Sequence, residues 1–409
     1  MAKPLRPLSN LYDRGGRLAL KQNFTTNNQA TLLKNGKDAV DAHIKLVKEA
    51  NEKILFHTYI FHEDGITSDF CDALIEKSKQ GVKVFFIVDA FGTPELSKEL
   101  KQRMHDAGVH WAYFAPFFGK RFQHLGRRLH QKLLLIDNKK AITGGINLAK
   151  KFVDPNDANP WLDYSVLIEG EEIYRIQRKV RSLYIKHFPE HAHFLSESIQ
   201  KQNFLFEHEL KAKSLVNDFM RFKSEVYQSY LKAIRNSEKS IKITATYFLP
   251  GKRLLRELKK ASKRGVEIEL IFGEVSDHPL ERYSSRYLYS WYLNHGIKIY
   301  EWNKSILHAK AALIDDDWVS IGSYNHNYLS RYICLELNVE LIDKEFANKM
   351  DEQFKYIKEN SIQVEKQEWS KKTSWLRIAF YFITYTFSNL ITLIATLFIV
   401  RKKEKTESP

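Results

Sequence analysis

His130-Gln131-Lys132-Leu133-Leu134-Leu135-Ile136-Asp137, then six residues, then Gly144-Gly145-Ile146-Asn147, is the stretch on which the reading turns. It returns as His308-Ala309-Lys310-Ala311-Ala312-Leu313-Ile314-Asp315, then six residues, then Gly322-Ser323-Tyr324-Asn325. A lone His-x-Lys carries almost no information, but two such patterns in one register do. On a strand, residues two apart share a face, so His130 pairs with Lys132 and His308 with Lys310. A face of imidazole and ammonium is a poor core face unless it meets an anion. The apolar runs Leu133–Ile136 and Ala311–Ile314 seat each strand in a sheet. The following strand ends in glycine, where backbone can approach a ligand closely, and then offers Asn147 or Asn325 as an amide donor. Two copies brought together place two histidines, two lysines and two asparagines around a phosphate-sized point. Lysine and asparagine would hold nonbridging oxygens while one histidine attacks phosphorus and the other protonates the leaving oxygen.

Outward from the motifs, β-rich runs alternate with helical ones, the pattern of α/β layers. Lys53–Phe61 reads as a strand, Ser68–Gln80 as a helix and Gly81–Val88 as a second strand. Ser240–Phe248, Gly251–Lys263 and Gly265–Ile271 repeat that order, and Gly108–Trp111 is answered by Gly296–Ile299. The chain therefore reads as an internal duplication. The expected division is a first domain over residues 1–190, a linker over 191–202 and a second domain over 203–365. Within the second, Asn203–Asn236 reads as an amphipathic helix, with Leu215, Phe219, Phe222 and Val226 at helical spacing.

An attacking imidazole needs its far nitrogen held, normally by a carboxylate or a backbone carbonyl. Each half offers a carboxylate after its motif: Asp163 in Trp161-Leu162-Asp163, and Glu336 in Glu336-Leu337-Asn338. Asp137 and Asp315, five residues past each lysine, are expected at the turn after the strand, bracing the site rather than touching substrate.

With these residues in view, the chain resembles the phospholipase D superfamily over most of residues 40–350, and within it the bacterial cardiolipin synthases. The resemblance rests on the paired His-x-Lys-x4-Asp motifs and the trailing Gly-Gly/Ser-x-Asn. It implies two duplicated α/β/α sandwich domains sharing one active site, and metal-independent chemistry without a cofactor through a covalent phosphohistidine. It also implies His130 as nucleophile with His308 as general acid. Trp161-Leu162-Asp163 resembles that branch's Trp-Arg-Asp, with leucine replacing arginine. After Asn325 the branch reads Asp-x-Arg-Ser, whereas this chain has His326-Asn327-Tyr328-Leu329-Ser330-Arg331. The branch's N-terminal membrane helices have no counterpart here.

At its other end the chain runs from Ile378 to Val400, 23 residues, without a charge, between Lys371, Lys372 and Arg377 on one side and Arg401, Lys402 and Lys403 on the other. As a helix this run would be ~34 Å long, enough to cross a bilayer. A C-terminal transmembrane anchor over residues 375–400 is expected. Thr384, Ser388, Thr392 and Thr396 recur every fourth residue, a spacing suited to helix–helix packing and self-association. Met1–Ala30 shows no signal peptide, which places the catalytic part in the cytoplasm.

Lys and Arg outnumber Asp and Glu by 64 to 49, giving a net charge of +15. That surplus favours a polyanionic partner, either nucleic acid or an anionic membrane surface. The basic loop Gly119–Arg128, preceded by Tyr113, Phe114, Phe117 and Phe118, could rest on such a surface. The two cysteines, Cys71 and Cys334, suggest no disulfide framework. His278, His295 and His326 show no metal-ligand pattern. The leading expectation is phosphatidyl transfer between two phosphatidylglycerol molecules, giving cardiolipin and glycerol at a membrane. Hydrolysis to phosphatidic acid is the alternative, and a nuclease is disfavoured by the apolar C-terminal run.

Overall fold

The computed structural model describes residues 23–116, 127–153, 159–197, 204–221 and 223–390. Residues 1–22 of the Met1–Ala30 segment, residues 119–126 of the basic loop with Phe117 and Phe118 before it, and residues 391–400 of the expected anchor lie outside the described residues.

The first half contains β1 (Thr25–Leu33), β2 (Lys53–Thr58), β3 (Lys83–Asp89), β4 (His110–Phe114), β5 (Arg128–Leu129), β6 (Leu133–Ile136), β7 (Lys140–Gly144) and β8 (Ser165–Gly170). The second contains β9 (Leu210–Asp218), β10 (Lys223–Ser224), β11 (Ser240–Thr244), β12 (Glu267–Gly273), β13 (Lys298–Trp302), β14 (Ala311–Ile314), β15 (Trp318–Gly322), β16 (Cys334–Ile342) and β17 (Ser361–Gln363).

In the first half β2, β3 and β4 run parallel, and β6, β7, β8 and β1 follow antiparallel beside β2. The second half repeats this arrangement: β11, β12 and β13 are parallel, with β14, β15, β16 and β9 antiparallel beside β11. The two sheets join where β1 meets β9, Thr25 opposite Ala212 and Asn28 opposite Leu210. Strands β2 and β3 are almost wholly buried, with Ile54–Phe56 and Val84–Val88 as their apolar runs, as parallel strands covered by helices on both faces require. The crossover helix Gly65–Lys79 starts at a capping box between Asp64 and Thr67, and the chain leaves it through Gly81 at φ 95°.

Four sequence expectations need correction. Strands expected to run to Phe61 and Phe248 end at Thr58 and Thr244, which releases Tyr59 and Thr246 from the ladder. His130–Lys132 and His308–Lys310 lie just ahead of β6 and β14, outside the ladders.

The third concerns Asn203–Asn236, of which only Glu225–Asn236 is α-helix. Leu210–Asp218 is instead the strand on which the two halves join, paired with β16 from Lys211–Ile342 to Asn217–Glu336. A strand with partners on both edges gains a full ladder of hydrogen bonds, and that tertiary gain overrides the helical spacing of Leu215 and Phe219.

The fourth is the transmembrane helix: among the described residues no helix is long and apolar enough to cross a membrane. Residues 375–390 are helical but lie against the second half. Tyr381 and Thr384 are buried there, Tyr381 stacks on Tyr283 and Tyr385 packs on Tyr287. The Ser388 hydroxyl is 3.0 Å from that of Ser284. So the described part of the small-hydroxyl stripe faces the helix Pro279–Arg286 of the same chain. Tyrosines, threonines, Ser388 and Asn389 make that face polar enough to pack on protein.

Candidate active site

The short segments before β6 and β14 bring the two motifs to one place at the junction of the halves. Strand β5 supports the first segment by pairing in parallel with the start of β16, Leu129 opposite Leu335. The His130 amide donates to the Leu335 carbonyl at 3.1 Å. In return, the amides of His308 and Ala309 donate to the Leu162 carbonyl at 2.8 and 3.1 Å. Each half thus holds the other's histidine segment by its backbone.

The carboxylates are exchanged in the same way. His130 Nδ1 lies 2.9 Å from Glu336 Oε2, across the junction in the second half. His308 Nδ1 lies 2.5 Å from Asp163 Oδ2 of the first half. Both carboxylates are fully buried. Glu336 also receives the Ser323 hydroxyl at 2.5 Å, and Asp163 receives the Tyr164 amide at 2.7 Å. The glycine of the first motif and the serine of the second therefore differ for a reason. A Cβ on Gly145 would lie 2.2 Å from Asp163 Oδ1, whereas Ser323 has room and donates to the longer glutamate.

Lys132 Nζ donates to the His130 carbonyl at 2.8 Å, and Lys310 Nζ donates to Thr246 Oγ1 at 2.9 Å and to the His308 carbonyl. Each ammonium folds back beside its histidine. Burial pushes Lys132 down to about 7 and Lys310 down to about 8. Burial likewise lowers both histidines, His308 well below its ordinary value, and raises Asp163 to about 7. A buried cluster of two lysines and two imidazoles, each lowered by burial, would have its charge restored by an anion. Asn147 is fully buried, its Oδ1 accepting from the Ile60 amide at 3.0 Å, and its Nδ2 has no hydrogen-bond partner in the structure. Asn325 is buried as well, with Oδ1 unpartnered.

Asp137 sits at the turn after β6 with φ 50° and accepts the amides of Asn51, Glu52 and Lys53 at 2.8–2.9 Å. Asp315 occupies the equivalent turn at φ 53° and accepts from Glu238, Lys239 and Ser240. Both pin the start of the neighbouring parallel strand and make no contact with the histidines.

Sequence reasoning missed the aromatic walls. Tyr59 stands edge-on to His130 with centroids 5.0 Å apart, and Lys132 Nζ lies 5.5 Å from its ring. Phe152 and Trp161 flank His308 at 5.2 and 5.6 Å. His57 pairs with Leu133 and Thr244 with Ala311, so Tyr59 answers Thr246 in the repeat, and a tyrosine answered by a threonine leaves no repeated signal. His326 is a core residue packed between Tyr230 and Phe248. Among the described residues, His110 on β4 and Glu190 and His191 of the short helix Pro189–His191 bring three potential metal-ligand atoms within 4.8 Å of one another, apart from this cluster.

Comparison with known proteins shows the family. The family model described as cardiolipin synthase, phospholipase D-like domain, matches residues 43–182 and 230–358, one match per half. The chain is 30% identical over 384 residues to cardiolipin synthase B of Shigella flexneri, covering 90% of each chain. Cardiolipin synthase 2 of Bacillus cereus is 30% identical over 387 residues, covering 91% of this chain and 72% of the relative. In fold the chain is similar to the phosphatidylserine synthase of Haemophilus influenzae, with a TM-score of 0.72 at 12% identity over 94% of this chain and 99% of the other. The chain belongs to the phospholipase D-like cardiolipin synthase family.

Proposed function

We propose that this family member is a phosphatidyltransferase that joins two phosphatidylglycerol molecules into cardiolipin and releases glycerol. The observation that carries the reading is the exchanged pairing of His130 with Glu336 and His308 with Asp163, beside two buried lysines. In this scheme His130, neutral because it is buried, attacks the phosphodiester phosphorus with Nε2. His308 gives a proton to the departing glycerol oxygen, leaving a phosphatidyl group on His130. The proton held by the His308–Asp163 pair supplies that step, and the anionic phosphate raises the basicity of His308 as it binds. A second phosphatidylglycerol then loses its hydroxyl proton to His308 and attacks phosphorus, freeing His130. Lys132, Lys310, Asn147 and Asn325 are assigned to the nonbridging oxygens, and Asp163 and Glu336 to orienting the imidazoles. Asp137 and Asp315 are assigned to bracing, with Gly145 and Ser323 fitting the carboxylates.

A lipid substrate is supported by the helical residues 375–390, which seat one face on the protein and leave the other apolar. Leu376, Phe380, Ile383, Phe387 and Leu390 form one stripe, each 47–63% exposed, beside Lys371, Lys372 and Arg377. Such a face suits the surface of an anionic bilayer, lying along it and not across it. The net charge of +15 suits the cytoplasmic leaflet of the cell membrane. The catalytic units are assigned to residues 1–190 and 203–365.

The test is lipid mass spectrometry after incubating the protein with phosphatidylglycerol vesicles and a chelator, beside His308→Ala. Cardiolipin and glycerol from the unaltered protein alone support the reading. Phosphatidic acid would replace it with hydrolysis, and no lipid product would sink it.

A further inference from the structure

Gln131 stands between His130 and Lys132 and its side chain donates to the Glu336 carbonyl at 3.1 Å. It also lines a cleft between the helix Glu172–His187 and the end of β9. Five cationic side chains surround that cleft: Arg127, Lys179, Lys186, Arg221 and Lys223. Two carboxylates offset them. Asp218 accepts from Arg127 at 2.6 Å and lies 3.6 Å from Arg221, and Glu225 accepts from Lys179 at 2.7 Å. The floor is apolar, made in part by Phe114, Leu183 and Leu335. Asp218 is 6% exposed, yet among the described residues its Oδ1 has no hydrogen-bond partner. A buried carboxylate oxygen left unpaired is unfavourable, so a donor that reaches it would bind favourably.

We propose that this cleft is a second, noncatalytic site for a glycerophosphate group. The phosphate would neutralise the surplus of cations, and a glycerol hydroxyl would donate to Asp218 Oδ1. Either a phosphatidylglycerol headgroup or free glycerol phosphate presents that chemistry. The occupant would tie the first half (Arg127, Lys179, Lys186) to the second (Asp218, Arg221, Lys223), beside Gln131 of the segment that carries His130. This goes beyond the proposed reaction, because it requires binding and no turnover.

The experiment titrates glycerol 3-phosphate, and separately short-chain phosphatidylglycerol, into full-length Lys132→Ala/Lys310→Ala protein by calorimetry. That background strips the catalytic cluster of both ammonium groups. The same titrations follow with Lys186→Glu and Lys223→Glu added, two solvent-reaching positions whose effect on folding is checked by circular dichroism. We expect one saturable site that weakens at least about tenfold on this double reversal, the loss of roughly one charge-assisted contact. Asp218→Ala releases Arg127 and Arg221, so it should favour inorganic phosphate and lower the affinity for glycerol 3-phosphate relative to it. Binding of the free compound assigns a soluble ligand, and binding of the lipid alone, lost on the same reversal, assigns a headgroup. Binding indifferent to Lys186 and Lys223, or no binding of either probe, overturns the site.

Discussion

Replacing Gly145 by alanine adds a single methyl group, and the structure says where it would go. The new Cβ would lie 2.2 Å from Asp163 Oδ1 and 2.5 Å from Oδ2. To reach ordinary van der Waals separation the carboxylate must withdraw by about 1 Å. Asp163 is fully buried and held by the Tyr164 amide at 2.7 Å, so it has no free space to enter. Withdrawal breaks its 2.5 Å contact with His308 Nδ1. A misplacement of about 1 Å at a reacting group costs on the order of 10²-fold in rate. Overpacking adds about 1–3 kcal/mol of destabilisation. We therefore expect Gly145→Ala to form cardiolipin at about one hundredth of the normal kcat, measured by mass spectrometry at saturating phosphatidylglycerol. Circular dichroism melts would verify that the protein remains folded at the assay temperature. The counterpart Ser323→Gly removes one hydroxyl from Glu336 and moves nothing, so its cost should not exceed about tenfold. Gly145→Ala with an unchanged kcat, or Ser323→Gly with the greater loss, would refute the argument that Asp163 is fixed by shape and positions His308.

Exchanging the carboxylates for amides tests the crossed pairs directly. Asp163→Asn and Glu336→Gln should each lower kcat by about 10²–10⁴ with little change in melting temperature, because shape is kept while tautomer control is lost; a loss below tenfold in either would argue against its role. Burial sets Lys132 near 7 and Lys310 near 8, so both lose their charge as pH rises through that range. The kcat/KM for phosphatidylglycerol should accordingly fall between about pH 7 and 9, and a profile still rising at pH 9 would contradict the assignment of these lysines to phosphate. Asp137→Ala leaves three backbone amides without their acceptor and places alanine at φ 50°. It should cost about 2–3 kcal/mol in urea denaturation, with KM unchanged. Replacing Leu376, Ile383 and Phe387 by glutamate should cut sedimentation with anionic vesicles at least about tenfold, since each apolar side chain contributes about 1.5–3 kcal/mol on burial; unchanged sedimentation would remove this face from membrane contact.

The sequence by itself determined whatever depends on local pattern. The duplicated His-x-Lys registers, the apolar runs of β6 and β14 and the repeated strand–helix–strand order are periodic signals that survive without knowledge of distant partners. They were enough to identify the α/β class, the duplication and the two His-x-Lys segments that the structure brings together. Only the tertiary structure decided how those residues combine. Nothing in the chain order reveals that Glu336 serves His130 and Asp163 serves His308, because the exchange depends on β5 pairing with β16 and on Leu162 capping the His308 segment. The strand β9 was misread because its character comes from ladders with β1 and β16, not from its own composition. The C-terminal run was misread for a related reason. Uncharged sequence is equally consistent with lipid around a helix or with protein beneath one face, and only the packing of Tyr381, Thr384 and Ser388 on the helix Pro279–Arg286 separates the two. Pairwise contacts between distant segments carry that information, and a one-dimensional pattern does not contain it.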